Sequence, residues 1–313
     1  MLARLQQFTT LMLISVAVAW ATYFMRRGEL AWAGAGATLI LLGYALFLAV
    51  EFMLLATLAQ RDPAPPPSAG QLLRAWWAEV LTAPQVFCWR QPFRSLAEPD
   101  FTPAQAVGRR GVVLVHGFVC NRAIWNPWMA RLRSEQIPFV AVNLEPLFGS
   151  IDDYVTAIDA AVLRLETSTG LPPVIAAHSM GGLAIRAWIA TCAGDRRVHH
   201  VVTIGTPHQG TCLARFALTT NGRQMRIGSD WLTWLAQQEP PTRFARFTCF
   251  YSHCDNIVFP AQMATLPGAR NLHIPGAAHV HLAFHHEVFD EVRSRLQDHP
   301  GPTSASASAS AAG

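Results

Sequence analysis

The sequence contains no lysine: all 24 of its basic residues are arginine. That absence excludes Schiff-base catalysis, a P-loop lysine and a Ser–Lys dyad. Charge of either sign is scarce, at 14% of 313 residues, and the net charge of +4 is spread without a basic run. Nucleic acid is therefore not an expected partner. The six cysteines (Cys88, Cys120, Cys192, Cys212, Cys249 and Cys254) include no CxxC pair. The usual thiolate metal spacing is absent, and an even number permits disulfides without requiring them.

Apolar residues are plentiful but uneven. They fill 42 of the first 60 positions, where only Arg4, Arg26, Arg27, Glu29 and Glu51 are charged. Phe8 to Met25 gives 18 uncharged positions, and Leu30 to Val50 gives 21 before Glu51 interrupts a run that continues to Gln60. The first is at the lower limit for crossing about 30 Å of hydrocarbon, and the second can cross alone and leave Glu51 near an interface. Residues 1–60 therefore read as a transmembrane helical hairpin, with helices over about 8–25 and 30–50. A signal peptide cleaved near Ala17 and Ala19 is the other reading of the first run. Gly34 and Gly36 offer a small-residue face for close helix contact. Arg4, the terminal amine, Arg61 and Arg74 on the flanks outnumber Arg26 and Arg27 in the hairpin loop by a small margin, a lean towards a cytoplasmic domain.

Residues 61–107 read as a Pro-rich linker followed by a juxtamembrane amphipathic segment. The breaker 61–70 is expected to run extended. Over 71–81, Leu72, Leu73, Trp76, Trp77 and Val80 predict a short helix, either at a headgroup interface or packed on the following domain. The Ser-Ala tail 299–313 lacks the apolar content to fold.

From Gly108 to 298 the pattern becomes short β-branched runs alternating with amphipathic helices, which predicts an α/β domain with a mostly parallel sheet flanked by helices. Strands are expected at 112–115, 139–143, 174–177, 200–204, 247–251 and 271–274. Ser150-Ile-Asp-Asp153 reads as a capping box opening a helix over 154–166.

Three features here point to one chemistry. Val174-Ile-Ala-Ala-His178-Ser179-Met180-Gly181-Gly182 runs from strand to helix through small residues, as a turn that lifts a serine hydroxyl clear of the backbone requires. Val112 to Val115 ends in His116-Gly117-Phe118, where the Phe118 N–H can face an oxyanion with Met180 N–H as second donor. The His116 side chain is expected to hold that loop, not to transfer protons. Asp255 and His279 follow later strands, so Ser179, Asp255 and His279 stand in the order nucleophile, acid, base. Asp195 and Asp230 compete less well for the acid, being in or beside helical segments. His281, His285 and His286 lie near His279, but a metal site needs converging ligands, and the adjacent His285 and His286 should diverge on a helix. No metal or cofactor is expected.

From Val112 to about Leu296 the chain resembles the α/β-hydrolase superfamily, in particular bacterial lipase/esterase-like members. The resemblance rests on His116-Gly117-Phe118, His178-Ser179-Met-Gly-Gly182, Gly205-Thr-Pro-His208-Gln-Gly210-Thr211, Asp255-Asn-Ile-Val, Gly276-Ala-Ala-His279 and the segment Asn221 to Leu232. Ala177 replaces the first glycine of the G-x-S-x-G form. The resemblance implies Ser179 as nucleophile, His279 as base and Asp255 as its orienting acid. Phe118 and Met180 would form the oxyanion hole, with His116, Gly117, His178, Gly181 and His208 shaping the site. It also places a possible lid over 211–244, where Trp231, Leu232, Trp234 and Leu235 either cover an acyl pocket or form ordinary helical core. The expected protein is a two-pass bacterial inner-membrane serine hydrolase acting on a lipid or other apolar acyl ester. An acyltransferase or thioesterase would use the same residues, and a membrane scaffold with a decayed hydrolase domain is the reading from another class.

Overall fold

The computed structural model describes residues 1–58 and 66–297. The expected tail over 299–313 and residues 61–65 of the expected Pro-rich breaker lie outside the described residues. Two long helices open the chain, α1 (Leu2–Arg26) and α2 (Leu30–Leu58), antiparallel to each other across a tight turn. Both are long and apolar enough to cross a membrane. Both also outrun the expected spans. At about 1.5 Å per residue α2 is about 43 Å long, so its end extends past a hydrocarbon core of about 30 Å. Gly36 is where the hairpin closes: a Cβ there would overlap the Trp20 indole, whose Nε1 donates to the Trp32 carbonyl at 2.8 Å. Gly34, its expected companion, faces open space.

Helix α3 (Ala69–Pro84) starts at a capping box in which Ser68 and Gln71 satisfy each other's backbone N–H groups. Ala69 and Gly70, expected to be extended, are therefore already helical. A π-helical turn (Gln85–Arg90) and the short α4 (Gln91–Phe93) continue from it. This stretch packs on the domain that follows. Val86 joins the apolar cluster under the sheet, and Phe101 pairs antiparallel with Phe139 through bonds of 3.0 and 2.8 Å. Within 71–81 itself, Leu72, Ala75 and Trp76 pack with Cys254, Phe259 and Ala278 of the domain, whereas Leu73, Trp77 and Leu81 stay exposed on the other side.

The sheet has six parallel strands in the order β2-β1-β3-β4-β5-β6. They are β1 (Val112–Val115), β2 (Phe139–Val142), β3 (Val174–His178), β4 (His200–Ile204), β5 (Phe247–Tyr251) and β6 (Arg270–His273). Strands β1 to β4 are buried along their whole length, because helices cover both faces; their near-continuous Val and Ile runs follow from that two-sided burial. One face carries α6 (Val155–Thr169) and α7 (Met180–Thr191). The other carries α5 (Asn126–Ser134) and α11 (His286–Gln297). The capping box at Ser150 is present, and opens a 3₁₀ turn (Ile151–Tyr154) one step before α6.

Between β4 and β5 lie α8 (Thr220–Gln224) and α9 (Asp230–Gln237). Leu232 and Leu235 of α9 point into the main core, so these two are helical core, not pocket cover. Trp234 stays exposed, and Trp231 donates to the Asp152 carboxylate at 2.9 Å. The remaining helix, α10 (His279–Leu282), is one turn long and follows β6.

The chain passes from β1 outward to β2, then returns to place β3 on the other side of β1. The crevice beyond the carboxyl ends of β1 and β3 is thus the topological switch point, where ligands of open parallel sheets bind.

Candidate active site

Ser179 stands between β3 and α7 with φ 55° and ψ −130°, a left-handed conformation that a residue with a side chain adopts only under constraint. Its neighbours supply the constraint. Ser179 N–H donates to the Ile204 carbonyl at 2.8 Å, extending the β3–β4 pairing into the turn. A Cβ on Gly181 would lie 2.5 Å from the His116 carbonyl oxygen, so only glycine lets α7 begin this close to the end of β1. A Cβ on Gly117 would lie 2.7 Å from Ser179 Cβ. The Gly117–Phe118 loop therefore lies directly against the Ser179–Met180 turn, and Phe118 stacks edge-on with Phe148 at 6.0 Å.

Beyond β5, the Asp255 carboxylate is buried and fully used. Its Oδ1 accepts from Ile257 and Val258 N–H at 2.9 and 2.8 Å, and its Oδ2 accepts from His279 Nδ1 at 2.9 Å. The rival acids are engaged elsewhere: Asp195 pairs with Arg243 at 2.7 Å, and Asp230 sits in the first turn of α9. Gly205, with φ 54°, ends β4 beneath the pair; a Cβ there would lie 2.9 Å from Asp255 Oδ2 and 3.2 Å from His279 Nδ1. With Nδ1 committed to Asp255, His279 keeps Nε2 for a reacting partner. Among the described residues no hydrogen bond joins the Ser179 hydroxyl to that ring. Such bonds commonly tighten only when substrate is bound.

Four buried histidines of this region behave differently. Burial pushes His116 down to about 4 and His178 down to about 3, and His208, buried beside the Arg186 cation, is also lowered well below the ordinary value. Each is neutral at neutral pH and tied to the fold. His116 Nε2 accepts from Leu144 N–H at 3.0 Å, leaving Nδ1 to donate to the Gly117 carbonyl at 2.9 Å. His178 Nε2 donates to the His279 carbonyl at 3.1 Å, and the two rings lie 4.7 Å apart. His208 Nε2 meets Thr203 Oγ1 at 3.0 Å, and its carbonyl accepts from Arg186 at 2.7 Å. His279 moves the other way. Burial alone would lower it, but the charge and hydrogen bond of Asp255, helped by Glu79 and Glu51, raise it overall.

Two residues of the N-terminal helices thus reach the site, and the sequence patterns did not single them out for it. Glu79 of α3 and Glu51 of α2 are both buried at the base of this cluster. The signal available was their charge: Glu51 is the one interruption of a long apolar run, and Glu79 sits among Leu and Trp on a helix. Asn256, next to Asp255, carries no sequence pattern of its own; its side chain links Glu51 to His279 N–H.

The histidine cluster after His279 needs one correction. His285 precedes α11 instead of sharing it with His286, and their rings lie 4.6 Å apart, not divergent. Among the described residues no three His, Cys, Asp or Glu side chains are grouped to hold a metal ion.

Comparison with known proteins agrees with this architecture. The Bacillus licheniformis lipase BlEst2 in its mature form superposes with a TM-score of 0.55 at 17% identity, over 62% of this chain and 95% of that one. Aspergillus fumigatus lipase B superposes with a TM-score of 0.53 at 16% identity, over 62% of this chain and 54% of that one, so this chain spans about half of that lipase's length. At such identities the likeness is one of fold. A family model, that of the alpha/beta hydrolase family, matches residues 112–294, more than half of the chain. The chain belongs to the alpha/beta hydrolase family.

Proposed function

We propose that this protein is a membrane-anchored serine hydrolase that cleaves carboxylic esters of apolar acyl groups. The observation that carries the reading is the strained Ser179 turn at the end of β3, where the preceding His178 ring lies 4.7 Å from the ring of the buried His279–Asp255 pair. Serine is a weak nucleophile until a base removes its proton. In the proposed reaction His279 Nε2 takes the Ser179 proton as Oγ attacks the ester carbonyl. Asp255 fixes the tautomer and stabilises the imidazolium that forms. The Phe118 and Met180 N–H groups hold the oxyanion, at the start of a helix whose dipole favours negative charge. His279 returns the proton to the departing alcohol. Water then repeats the sequence on the acyl-enzyme and releases the acid. His116 and His178, neutral at working pH, shape the site without competing for the proton.

The hairpin α1–α2 is proposed to lie in the membrane, with the catalytic domain on the side of both flanks. Phe118, next to the glycine that meets Ser179, and the exposed Phe148 stacked on it offer an apolar surface that favours an acyl chain over a polar group.

Labelling of membranes with a fluorophosphonate probe tests the nucleophile: wild type labels, and Ser179→Ala does not. Ser179→Ala or His279→Ala is expected to lower kcat on the order of 10⁶-fold, and Asp255→Asn about 10⁴-fold. The active form needs neutral His279, and its proton affinity is raised. Activity should therefore climb with pH through a midpoint above the ordinary histidine value of about 6.5. A wild type that stays unlabelled where other serine hydrolases react would sink the enzyme reading. Preference for p-nitrophenyl acetate over long-chain esters would sink the apolar-acyl part alone.

A further inference from the structure

The turn that carries His279 is one helical turn long and, like every helix start, leaves its leading N–H groups without acceptors of its own. Three side chains from other elements are involved in holding them. His279 N–H donates to Asn256 Oδ1 at 3.2 Å, Val280 N–H to Glu79 Oε1 at 2.9 Å, and His281 N–H to Glu79 Oε2 at 3.0 Å. Asn256 is held in turn: its Nδ2 donates to Glu51 Oε2 at 2.7 Å. Three successive backbone donors around the imidazole are thus fixed, directly or through Asn256, by carboxylates on α2 and α3. An apolar seam sets the position of those carboxylates. Phe52 and Leu55 of α2 and Ala75 of α3 pack with Cys254, Phe259 and Ala278, residues that flank Asp255 and His279. Trp76 Nε1 donates to the Ala45 carbonyl at 3.0 Å and Tyr44 to the Val80 carbonyl at 2.8 Å, locking α3 onto α2.

We propose that Glu79 and Glu51 are positioning residues of the ester-cleaving reaction, and that through them the membrane hairpin and the helix after it are working parts of the active site, not a tether. The inference rests on the reading of His279 as the base. Glu79 fixes where the ring sits by holding the backbone on its C-terminal side, and Glu51 does so through Asn256. When ionised, both also add negative charge near the imidazolium that forms during attack. The groups facing His279 are Asp255 from the loop after β5, Glu51 from α2, Glu79 from α3 and the neutral His178 from β3.

The test uses the full chain in detergent micelles with a p-nitrophenyl ester, over a range of pH, with Ser179→Ala as the blank. Glu79→Gln keeps the shape but has one acceptor oxygen for two N–H donors. It should lower kcat about 10- to 100-fold, the size expected of a small misplacement, with KM changed much less. The acid midpoint of the pH profile should move to lower pH, because His279 has lost a neighbouring anion. Glu51→Ala should lower kcat about tenfold and Glu51→Gln by less, since a glutamine oxygen can still accept from Asn256. This second pair reads the inference if Glu79→Gln fails to fold by circular dichroism. A folded Glu79→Gln with wild-type kcat and midpoint, or Glu51→Ala and Glu51→Gln both indistinguishable from wild type, overturns the inference while Ser179→Ala remains inactive. Activity that survives Ser179→Ala overturns the reading of the site and this inference together.

Discussion

The molecule buries side chains in two regions that work by different rules. In the sheet, Val112 to Val115 and Val174 to Ala177 are wholly buried among Ile, Leu, Phe and Trp, and the stabilisation is non-directional apolar burial. At the seam between the N-terminal helices and the domain, the buried set includes Gln6, Gln91, Glu51 and Glu79, joined by directed hydrogen bonds. An apolar core accepts many packings of similar volume, whereas paired polar groups are costly in any arrangement that leaves them unpaired. The seam therefore selects one docking geometry for the helices, and that geometry reaches the turn of His279.

The largest difference between the regions should appear on truncation. Trp188 of α7 is fully buried, and its Nε1 donates to Asp159 at 2.9 Å. Trp188→Ala should cost about 3–5 kcal/mol by chemical denaturation, at any pH. The polar part of the seam should instead depend on pH. Burial raises Glu79 from 4.5 to about 7, against the opposing pull of the Val280 and His281 N–H groups. Since the folded state holds this proton more tightly than the unfolded one, its contribution is fully present below pH 4.5 and is lost as pH rises through about 7. Wild type should thus lose about 3 kcal/mol relative to Glu79→Gln across that window, read as the difference between their unfolding curves. Parallel curves would show that the seam is not held by an ionising carboxylate. The smallest effect concerns Gln6 and Gln91, whose amides meet at 2.9 Å while Gln6 Oε1 and Gln91 Nε2 stay buried without partners. Gln6→Ala should cost about 1–3 kcal/mol, and the double change to leucine should be close to neutral. A neutral single change would remove the contrast with the core.

The same contrast explains what the sequence disclosed. β1, β4 and β5 run as expected from their β-branched and aromatic residues, and β2, β3 and β6 differ by single residues at their ends. These signals are local: a strand buried on both faces announces itself in four or five consecutive positions. The Ser179 turn is equally local, because the small residues it needs are its neighbours in sequence. The pairing of Asp255 with His279, at 2.9 Å, agrees with the expectation from their order and their places after β5 and β6. Glu79 and Glu51 were not, because their partners lie 201 to 205 positions away and no periodicity records a contact at that range. Asn256 is hidden differently: a lone asparagine in a loop has no spacing that would mark its contacts with Glu51 and His279 N–H.

The bonds from Glu79 to Val280 and His281 also have a direction in time. The N-terminal helices leave the ribosome some 200 residues before the turn they support. At about 5–20 residues per second that is an interval of about 10–40 s. Throughout it the two long helices can fold and pair with each other while the domain is still incomplete. The last helical turns of the chain then close onto a support that is already in place.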